Sequence, residues 1–423
     1  MRRSKSFVKT RKNAPADEQA HNAQLLIRAG YIHKEMAGVY SYLPLGKKVI
    51  DNIAQIVREE MNSIGGEELQ MSVLQPKELW EKTNRWDDNV VDNWFKTKLK
   101  SGAELGVGLT HEEAVADALQ NYIPSYKDLP VYVYQIQNKF RNELRAKSGL
   151  LRGREFIMKD LYSLSRTQEE HDEFYEKATV AYNKVYSRLG IGDVTYPTYA
   201  SGGYFSEFSR EFQTLSEVGE DTIYLDKEKG FAVNKEVYEY KLLERLGTSK
   251  EKLVECKAVE VGNIFPLGSK YTDELGIYFT DEEGKQKSII MGSYGIGVSR
   301  LMGMLAEHFA DERGLAWPAH VAPYKIYLIK LGDSPEVVAA ADKAYEALDK
   351  AGITVMYDDR AEISPGEMLA DADLMGMPLR LIASGKSLAA GGLELKSRSK
   401  EDSQVISAES VVQQIVDRLQ SLI

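Results

Sequence analysis

Phe140-Arg141-Asn142-Glu143, followed after a short loop by Arg152-Gly153-Arg154-Glu155-Phe156, is the stretch on which the fold turns. Residues 131–140 before it and 155–164 after it read as two strands, and Ala146-Lys147-Ser148-Gly149 between them supplies turn chemistry. Together they predict an antiparallel hairpin with a basic tip. An arginine at a strand end grips a phosphate or carboxylate with a two-pronged fork, which a lysine cannot do. Across the hairpin, the ring of Phe156 offers a flat face on which a base can stack. An ordinary hairpin whose Arg141, Glu143 and Arg152 form surface ion pairs fits the same residues.

Upstream, Val49, Ile50, Ile53, Ile56, Val57 and Met61 recur at helical spacing over 46–62, and Gly65-Gly66 end that helix. A strand is expected through Leu69, Met71 and Val73, ending near Pro76. Downstream, a helix over 168–189 is followed by several strands up to Met291, and a glycine-rich turn then opens a helix over 298–309. These elements make residues 1–317 an α+β domain with a largely antiparallel sheet. Residues 318–324 read as a linker, and 325–423 change to strand–helix alternation, the pattern of a small α/β domain. In that part Ser334 is the expected N-cap, with Pro335 in the first turn and Gly352 past the helix end.

Composition narrows the chemistry. A single cysteine, Cys256, leaves neither an intrachain disulfide nor a multi-thiolate zinc site, so any metal must be oxygen-bound. The histidines never fall at the i, i+4 spacing of a helical metal pair. No apolar run reaches transmembrane length, and cytoplasm is the default location. Arg2, Arg3, Lys5, Lys9, Arg11 and Lys12 make a basic N-terminal arm that superficially has the charge of a transit peptide. The net charge of −10 argues against a surface that grips nucleic acid everywhere, and leaves room for local clusters of Lys and Arg.

A second stretch joins the first. In Gly292-Ser293-Tyr294-Gly295-Ile296-Gly297-Val298-Ser299-Arg300 the glycines fall in the order GxxGxG, not the GxGxxG of a dinucleotide fingerprint. Here Gly295 and Gly297 would let backbone approach a ligand closely, while Arg300 supplies charge for a phosphate tail. A merely structural turn is the alternative.

The hairpin and this run resemble the second and third signatures of class II aminoacyl-tRNA synthetases. Residues 46–62, 69–74 and Pro76 fit the looser first signature, which in that class builds a dimer interface. Within the class, Leu109-Thr110-His111-Glu112-Glu113 resembles the T-x-E loop of bacterial-type prolyl-tRNA synthetases. So do Gly38-Val39-Tyr40-Ser41-Tyr42-Leu43-Pro44-Leu45-Gly46, Phe156-Ile157-Met158-Lys159-Asp160 and Glu260-Val261-Gly262-Asn263-Ile264-Phe265. Tyr357-Asp358-Asp359-Arg360 and Ala370-Asp371-Ala372-Asp373-Leu374 look like that family's anticodon-binding domain.

The resemblance implies ATP-dependent attachment of proline to tRNA(Pro) through a prolyl-adenylate, by a homodimer using ATP with Mg2+ and no zinc. It implies Arg141 on the α-phosphate, Arg152 and Arg300 on the outer phosphates, and Glu143 and Phe156 on adenine. For proline it implies Glu112 as countercharge to the ammonium and Thr110 as a further hydrogen-bond partner, with Met158, Gly202 and Gly203 around the ring. Thr110 and Glu113 also fit a helix capping box. Asp359, Arg360, Glu394 and Lys396 are candidates for reading anticodon bases, and fit ordinary surface charge equally well. A class II enzyme for another amino acid, such as threonine, shares the architecture, but threonyl enzymes hold zinc with Cys and His. A catalytically dead paralogue that only binds tRNA would be expected to lose one of the three arginines.

Two departures from the family stand out. Many bacterial members carry a large editing insertion between the second and third signatures, whereas here only 226–255 fill that place. In 202–212 the family's Ser-His-Glu-Phe is Ser209-Arg210-Glu211-Phe212, so Arg210 replaces a histidine that lies by the proline pocket in relatives. Arg210 is expected to swing outward, or to pair with Glu207 or Glu211.

Overall fold

A computed structural model describes residues 1–203 and 208–422. The chain divides into two compact units, one of residues 37–39 and 54–301, the other of 1–36, 40–53 and 302–423.

In the first unit residues 69–73, expected to be strand up to 74, are irregular, and two short strands in different sheets flank them. β1 (Glu67–Glu68) pairs parallel with Val133 and Tyr134, while β2 (Leu74–Pro76) pairs antiparallel with Leu105–Val107 in a small separate sheet. The cause is local. The side chain of Gln135 accepts from the Met71 N–H at 3.0 Å and that of Gln137 donates to the Met71 carbonyl at 2.7 Å. Side-chain amides thus replace the strand ladder and let the backbone leave the sheet.

After α1 (Lys77–Glu81) and α2 (Glu112–Leu119) comes the hairpin, β3 (Val131–Phe140) and β4 (Glu155–Ser165), in the expected antiparallel register from Val131 opposite Leu164 to Phe140 opposite Glu155. Next is α3 (Gln168–Arg188), whose Thr167 hydroxyl accepts from the Glu170 N–H as an N-cap. Strands β5 (Thr195–Ser201), β6 (Phe208–Leu215), β7 (Asp221–Asp226), β8 (Phe231–Asn234) and β9 (Val254–Gly268) follow, then α4 (Lys270–Leu275) and β10 (Ile290–Ile296). Among the described residues these build one nine-stranded sheet in the order β6-β5-β8-β7-β9-β10-β4-β3-β1, with β6 also paired to β9. All but β5–β8 and β3–β1 are antiparallel. Under it, Val115, Val133, Tyr162, Leu164, Tyr271, Phe279 and Met291 form a buried cluster.

The expected glycine-rich turn is a strand. Gly292 and Gly295 lie inside β10, and none of Gly292, Gly295 and Gly297 has a positive φ. Their smallness serves close packing: a Cβ on Gly292 would fall 2.5 Å from the Tyr294 hydroxyl, and one on Gly295 2.8 Å from Asn263 Oδ1. Helix α5 (Val298–His308) starts directly afterwards.

In the second unit β11 (Ile326–Leu331), β12 (Val355–Asp358) and β13 (Leu379–Ser384) are parallel, and β14 (Leu393–Ser397) and β15 (Ser403–Ile406) add antiparallel edges in the order β12-β11-β13-β14-β15. Helix α6 (Pro335–Lys350) is capped by Ser334 as expected, and Gly352 takes a φ of 74° after it. The basic N-terminal arm packs within this unit. The Tyr357 N–H donates to the Met1 carbonyl, Arg2 lies over the Tyr357 ring at 4.7 Å, and Arg3 pairs with Asp371 at 3.5 Å. Among the described residues no helix is long and apolar enough to cross a membrane.

Candidate functional site

The hairpin, β7, β9 and the start of α5 enclose a cavity of about 240 Å³ lined by Arg141, Glu143, Arg152, Phe156, Glu220, Asp221, Glu260 and Arg300, with smaller residues between them. Local bonds set its walls. The Arg141 N–H donates to the Arg154 carbonyl at 2.8 Å, extending the hairpin one residue past its last strand pair. Ser299 accepts from the Ile157 N–H at 2.6 Å and so ties the first turn of α5 to β4, which brings Arg300 to the cavity.

The three arginines differ in their partners. Arg152 donates to Glu143 at 2.9 Å and to Glu220 at 3.0 Å, and Arg300 donates to the carboxylate of Glu260 at 3.2 Å. Arg141 makes no ion pair among the described residues, and its guanidinium lies over Phe156 at 5.3 Å from the ring centre. Burial, and after it the like charge of Arg300, lower the Arg141 pKa from its ordinary value. An arginine kept without a direct ion pair in such a place is ready for an anion supplied from outside.

Behind the cavity sits a buried carboxylate pair. Glu112 accepts from the Thr110 hydroxyl at 2.7 Å, from the Ser293 hydroxyl at 3.1 Å and from Arg85 at 3.2 Å. Glu113 takes Arg85 at 3.0 Å on both oxygens and Thr83 at 2.8 Å. The capping-box reading of Thr110 and Glu113 is therefore wrong. The N-cap of α2 is His111, without a side-chain cap bond, because Thr110 is turned to Glu112 and Glu113 to Arg85. The Phe140 N–H donates to the Gly108 carbonyl at 3.0 Å, so this loop is fastened to the hairpin end beside Arg141. Beneath it Asp160 gathers Lys139 at 2.7 Å, Gln135 at 2.9 Å and Tyr162 at 2.9 Å, and the Tyr162 hydroxyl accepts from the His111 N–H.

The structure thus brings Arg141, Glu143, Arg152, Phe156 and Arg300 into one cavity, and holds Thr110 with Glu112 in one bonded group. Met158 lies on β4 near Gly295, its sulfur 3.7 Å from where a Cβ on that glycine would be. Gly295 and Gly297 do not line the cavity, and Gly203, with a φ of 55°, has nothing near its absent Cβ. Gly202 and Gly203 are likewise not among the lining residues, and Glu207 lies outside the described residues. Arg210 swings outward, to Glu176 at 3.0 Å and Thr179 at 2.7 Å on α3, over the Tyr175 ring.

Asp359 and Arg360 are engaged within their own unit: Asp359 accepts from Ser4 and Arg2, and Arg360 pairs with Asp358 and Asp371. Both candidates for base reading thus have protein partners in this unit. Lys396 on β14 lies 3.4 Å from Glu401, and Glu394 is partly exposed on the same strand. Sequence reasoning missed Arg85, Glu220, Asp221 and Ser293. The partners of Arg85, Glu220 and Ser293 lie tens of residues away and that of Asp221 eight, and no local spacing marks any of them.

Residues 95–309 match the family described as tRNA synthetase class II core domain (G, H, P, S and T), and 325–418 match an anticodon binding domain. A proline–tRNA ligase of Rickettsia rickettsii is 38% identical over 97% of this chain and 99% of its own length. One from Agrobacterium fabrum is 34% identical, covering 97% of this chain and 99% of the relative. One from Geobacillus sp. is 31% identical over 99% of this chain and all of its own length, in an alignment 570 positions long against 423 residues here. Among solved structures, prolyl-tRNA synthetase from Cryptosporidium parvum complexed with L-proline and AMP shares the fold at TM-score 0.76 and 17% identity, over 95% of this chain and 75% of that one.

Proposed function

The chain belongs to the proline–tRNA ligases, built on a class II synthetase core with an anticodon-binding domain, and from that premise we propose how its residues divide the reaction. The enzyme activates proline with ATP and passes it to tRNA. In the first step the proline carboxylate attacks the α-phosphorus of ATP, the bond to the β-phosphate oxygen breaks, and prolyl-adenylate and pyrophosphate result. In the second, a hydroxyl of the tRNA's terminal ribose attacks the prolyl carbonyl and AMP leaves. Neither step needs a protein nucleophile, so catalysis rests on positioning and on charge placed where it develops.

The observation that carries the assignment is Arg141, the cavity arginine that has no carboxylate partner among the described residues. It meets the α-phosphate. Arg152 and Arg300 turn from their carboxylates to the outer phosphates, which frees Glu143 to accept from the adenine amino group while Phe156 stacks on the ring. Glu112 receives the proline ammonium, and the Thr110 hydroxyl, able to accept as well as donate, turns to it too. Met158 borders the apolar ring, and Gly202 and Gly203 belong to the same pocket by family resemblance.

Carboxylates of Asp221 and Glu260 on the cavity wall fit a hard, oxygen-seeking ion, so Mg2+ held mainly by the triphosphate suits this donor set. When bound, the ion offsets phosphate charge. Residues 1–317 act as the aminoacylation domain and 325–423 as the tRNA-reading domain, with 318–324 between them, and the enzyme works as a cytoplasmic homodimer. Glu394 and Lys396 are the better anticodon candidates, since Asp359 and Arg360 are already paired.

ATP–pyrophosphate exchange, with each amino acid offered separately, tests the reading. Exchange led by proline is expected, and Arg141→Ala should lose on the order of 2.7–4 kcal/mol of transition-state stabilisation, a hundredfold or more in rate. Near-normal exchange in that variant would sink the assignment.

A further inference from the structure

Arg85 was not singled out by any motif, yet it is among the most enclosed cations of the first unit. It is 5% exposed, beside Glu112 at 1% and Glu113 at 0%. Its guanidinium lies over the ring of Trp80 at 4.8 Å and that of Tyr271 at 5.3 Å. One terminal nitrogen reaches both oxygens of Glu113 at 3.0 Å and a single oxygen of Glu112 at 3.2 Å. The contact is therefore lopsided: Glu113 presents both oxygens to that one nitrogen and Glu112 only one, while the Thr110 hydroxyl bonds both Glu112 oxygens and the Ser293 hydroxyl the one Arg85 does not touch.

Two neighbouring buried carboxylates cannot both remain ionised without a cation between them, because like charges at short range in a dry site force one to retain a proton. With Arg85 in place the three side chains have a formal charge of −1, enough for one incoming cation. We propose that Arg85 is a positioning residue for amino-acid binding: by engaging both oxygens of Glu113 and one of Glu112 it offsets the charge of one glutamate and leaves Glu112 as the carboxylate that meets the substrate's secondary ammonium. This rests on the reading that Glu112 receives that ammonium.

Burial raises the pKa of Glu113 above its ordinary value even beside Arg85, which opposes the rise, while the neighbouring charge of Glu112 adds to it. Among the described residues, other titratable groups near the three come mainly from two elements. Tyr271 and Glu274 come from α4, and Lys139, Asp160 and Tyr162 from the hairpin below. His111, whose pKa burial lowers, stands beside Glu112, and Arg141 lies across the cavity edge. Lys139 is already held by Asp160 at 2.7 Å, so among the described residues Arg85 is the cation in direct contact with both glutamates.

The test is steady-state exchange with the full-length chain, reading KM for proline and for ATP separately across about pH 6.5 to 8.5. In Arg85→Met the proline KM should rise on the order of tenfold at neutral pH and fall again as the pH is raised, because the glutamate pair then shares a proton that leaves with alkali. KM for ATP should stay within about twofold. Glu113→Gln, which keeps the side-chain shape, should also raise the proline KM, since Arg85 then turns fully to Glu112 and competes with the substrate. The double variant Arg85→Met/Glu113→Gln restores a single negative charge and should bring the proline KM back toward that of the parent.

Rescue in the double variant, with a pH-dependent proline KM in Arg85→Met, supports the proposal. A double variant as weak as the singles, or a pH-flat proline KM in Arg85→Met, overturns it. Where Arg85→Met does not fold, the near-isosteric Glu113→Gln decides: an unchanged proline KM there overturns the proposal. Glu112→Gln separates the two layers, for if it leaves the proline KM unaltered the ammonium assignment itself fails, whereas an effect there with none at Arg85 or Glu113 defeats this proposal alone.

Discussion

Glu211 shows how much a single side chain can reveal about this site. It accepts from Gln213 at 2.8 Å and Asn234 at 3.2 Å, and burial, followed by the nearby charge of Glu260, pushes its pKa from 4.5 up to about 8. The folded state therefore holds a proton that the unfolded chain has already released between those two values, so stability falls as pH rises through this window. Below about 4.5 both states are protonated and the effect vanishes. Glu211→Gln should flatten that part of the stability profile, which urea unfolding followed at about pH 5 and pH 8 would show. A parent and variant with parallel profiles would refute it. At this scale legibility depended on neighbourhood: Arg141, Glu143, Arg152 and Phe156 share one hairpin, whose fixed register brings them together. Arg85 meets Glu112 and Glu113 across 27 and 28 residues of chain, a separation that no periodicity encodes. Arg141 also allows a sharper test than removal. Arg141→Lys keeps the charge and loses the fork, and most of the loss seen with alanine should persist in exchange assays.

Among the elements, the strands were legible where alternation ran uninterrupted and misread where side chains took over backbone bonds. The hairpin came out with its expected bounds to within a residue. The segment 69–73 has the right apolar pattern, but Gln135 and Gln137 capture the backbone of Met71 and turn it out of the sheet. The glycines of β10 read as a turn because glycine so often marks one, whereas here they permit strands to lie close. Gly262 on β9 repeats the principle. A Cβ there would fall 2.3 Å from the buried Tyr186 hydroxyl and 2.9 Å from the Gly295 carbonyl on the neighbouring strand. The Tyr186 ring is buried on α3 against Tyr182 and Phe212, and the Gly295 carbonyl belongs to the β9–β10 ladder, so Gly262→Ala should cost about 1–3 kcal/mol of stability, as other overpacked sites do. Chemical denaturation would measure it, and an unchanged midpoint would show that the strands yield more easily than this contact implies.

For the whole molecule the informative feature is what lies between the hairpin and β10. The chain aligns along its full length with a Geobacillus relative only by way of a 570-position alignment, and between β7 and β9 it has one short strand, β8, and a few helical turns. This brevity, visible in the sequence as the span 226–255, leaves no room for a second folded hydrolytic domain there. With no such domain at this place, selectivity rests on the synthetic pocket. An apolar pocket shaped for proline excludes a smaller side chain only by the contacts the smaller one fails to make, roughly 1–3 kcal/mol or about 10–200-fold. Alanine lacks proline's ring but carries an ammonium that Glu112 can hold as well, so the charged contact does not discriminate. The enzyme should therefore activate alanine as a weak second substrate and release alanyl-tRNA(Pro) without hydrolysing it, leaving its clearance to a separate factor. Exchange with alanine in place of proline measures the first half. Incubating preformed alanyl-tRNA(Pro) with the purified enzyme measures the second, where deacylation faster than in buffer would mean that a hydrolytic site exists elsewhere in the chain.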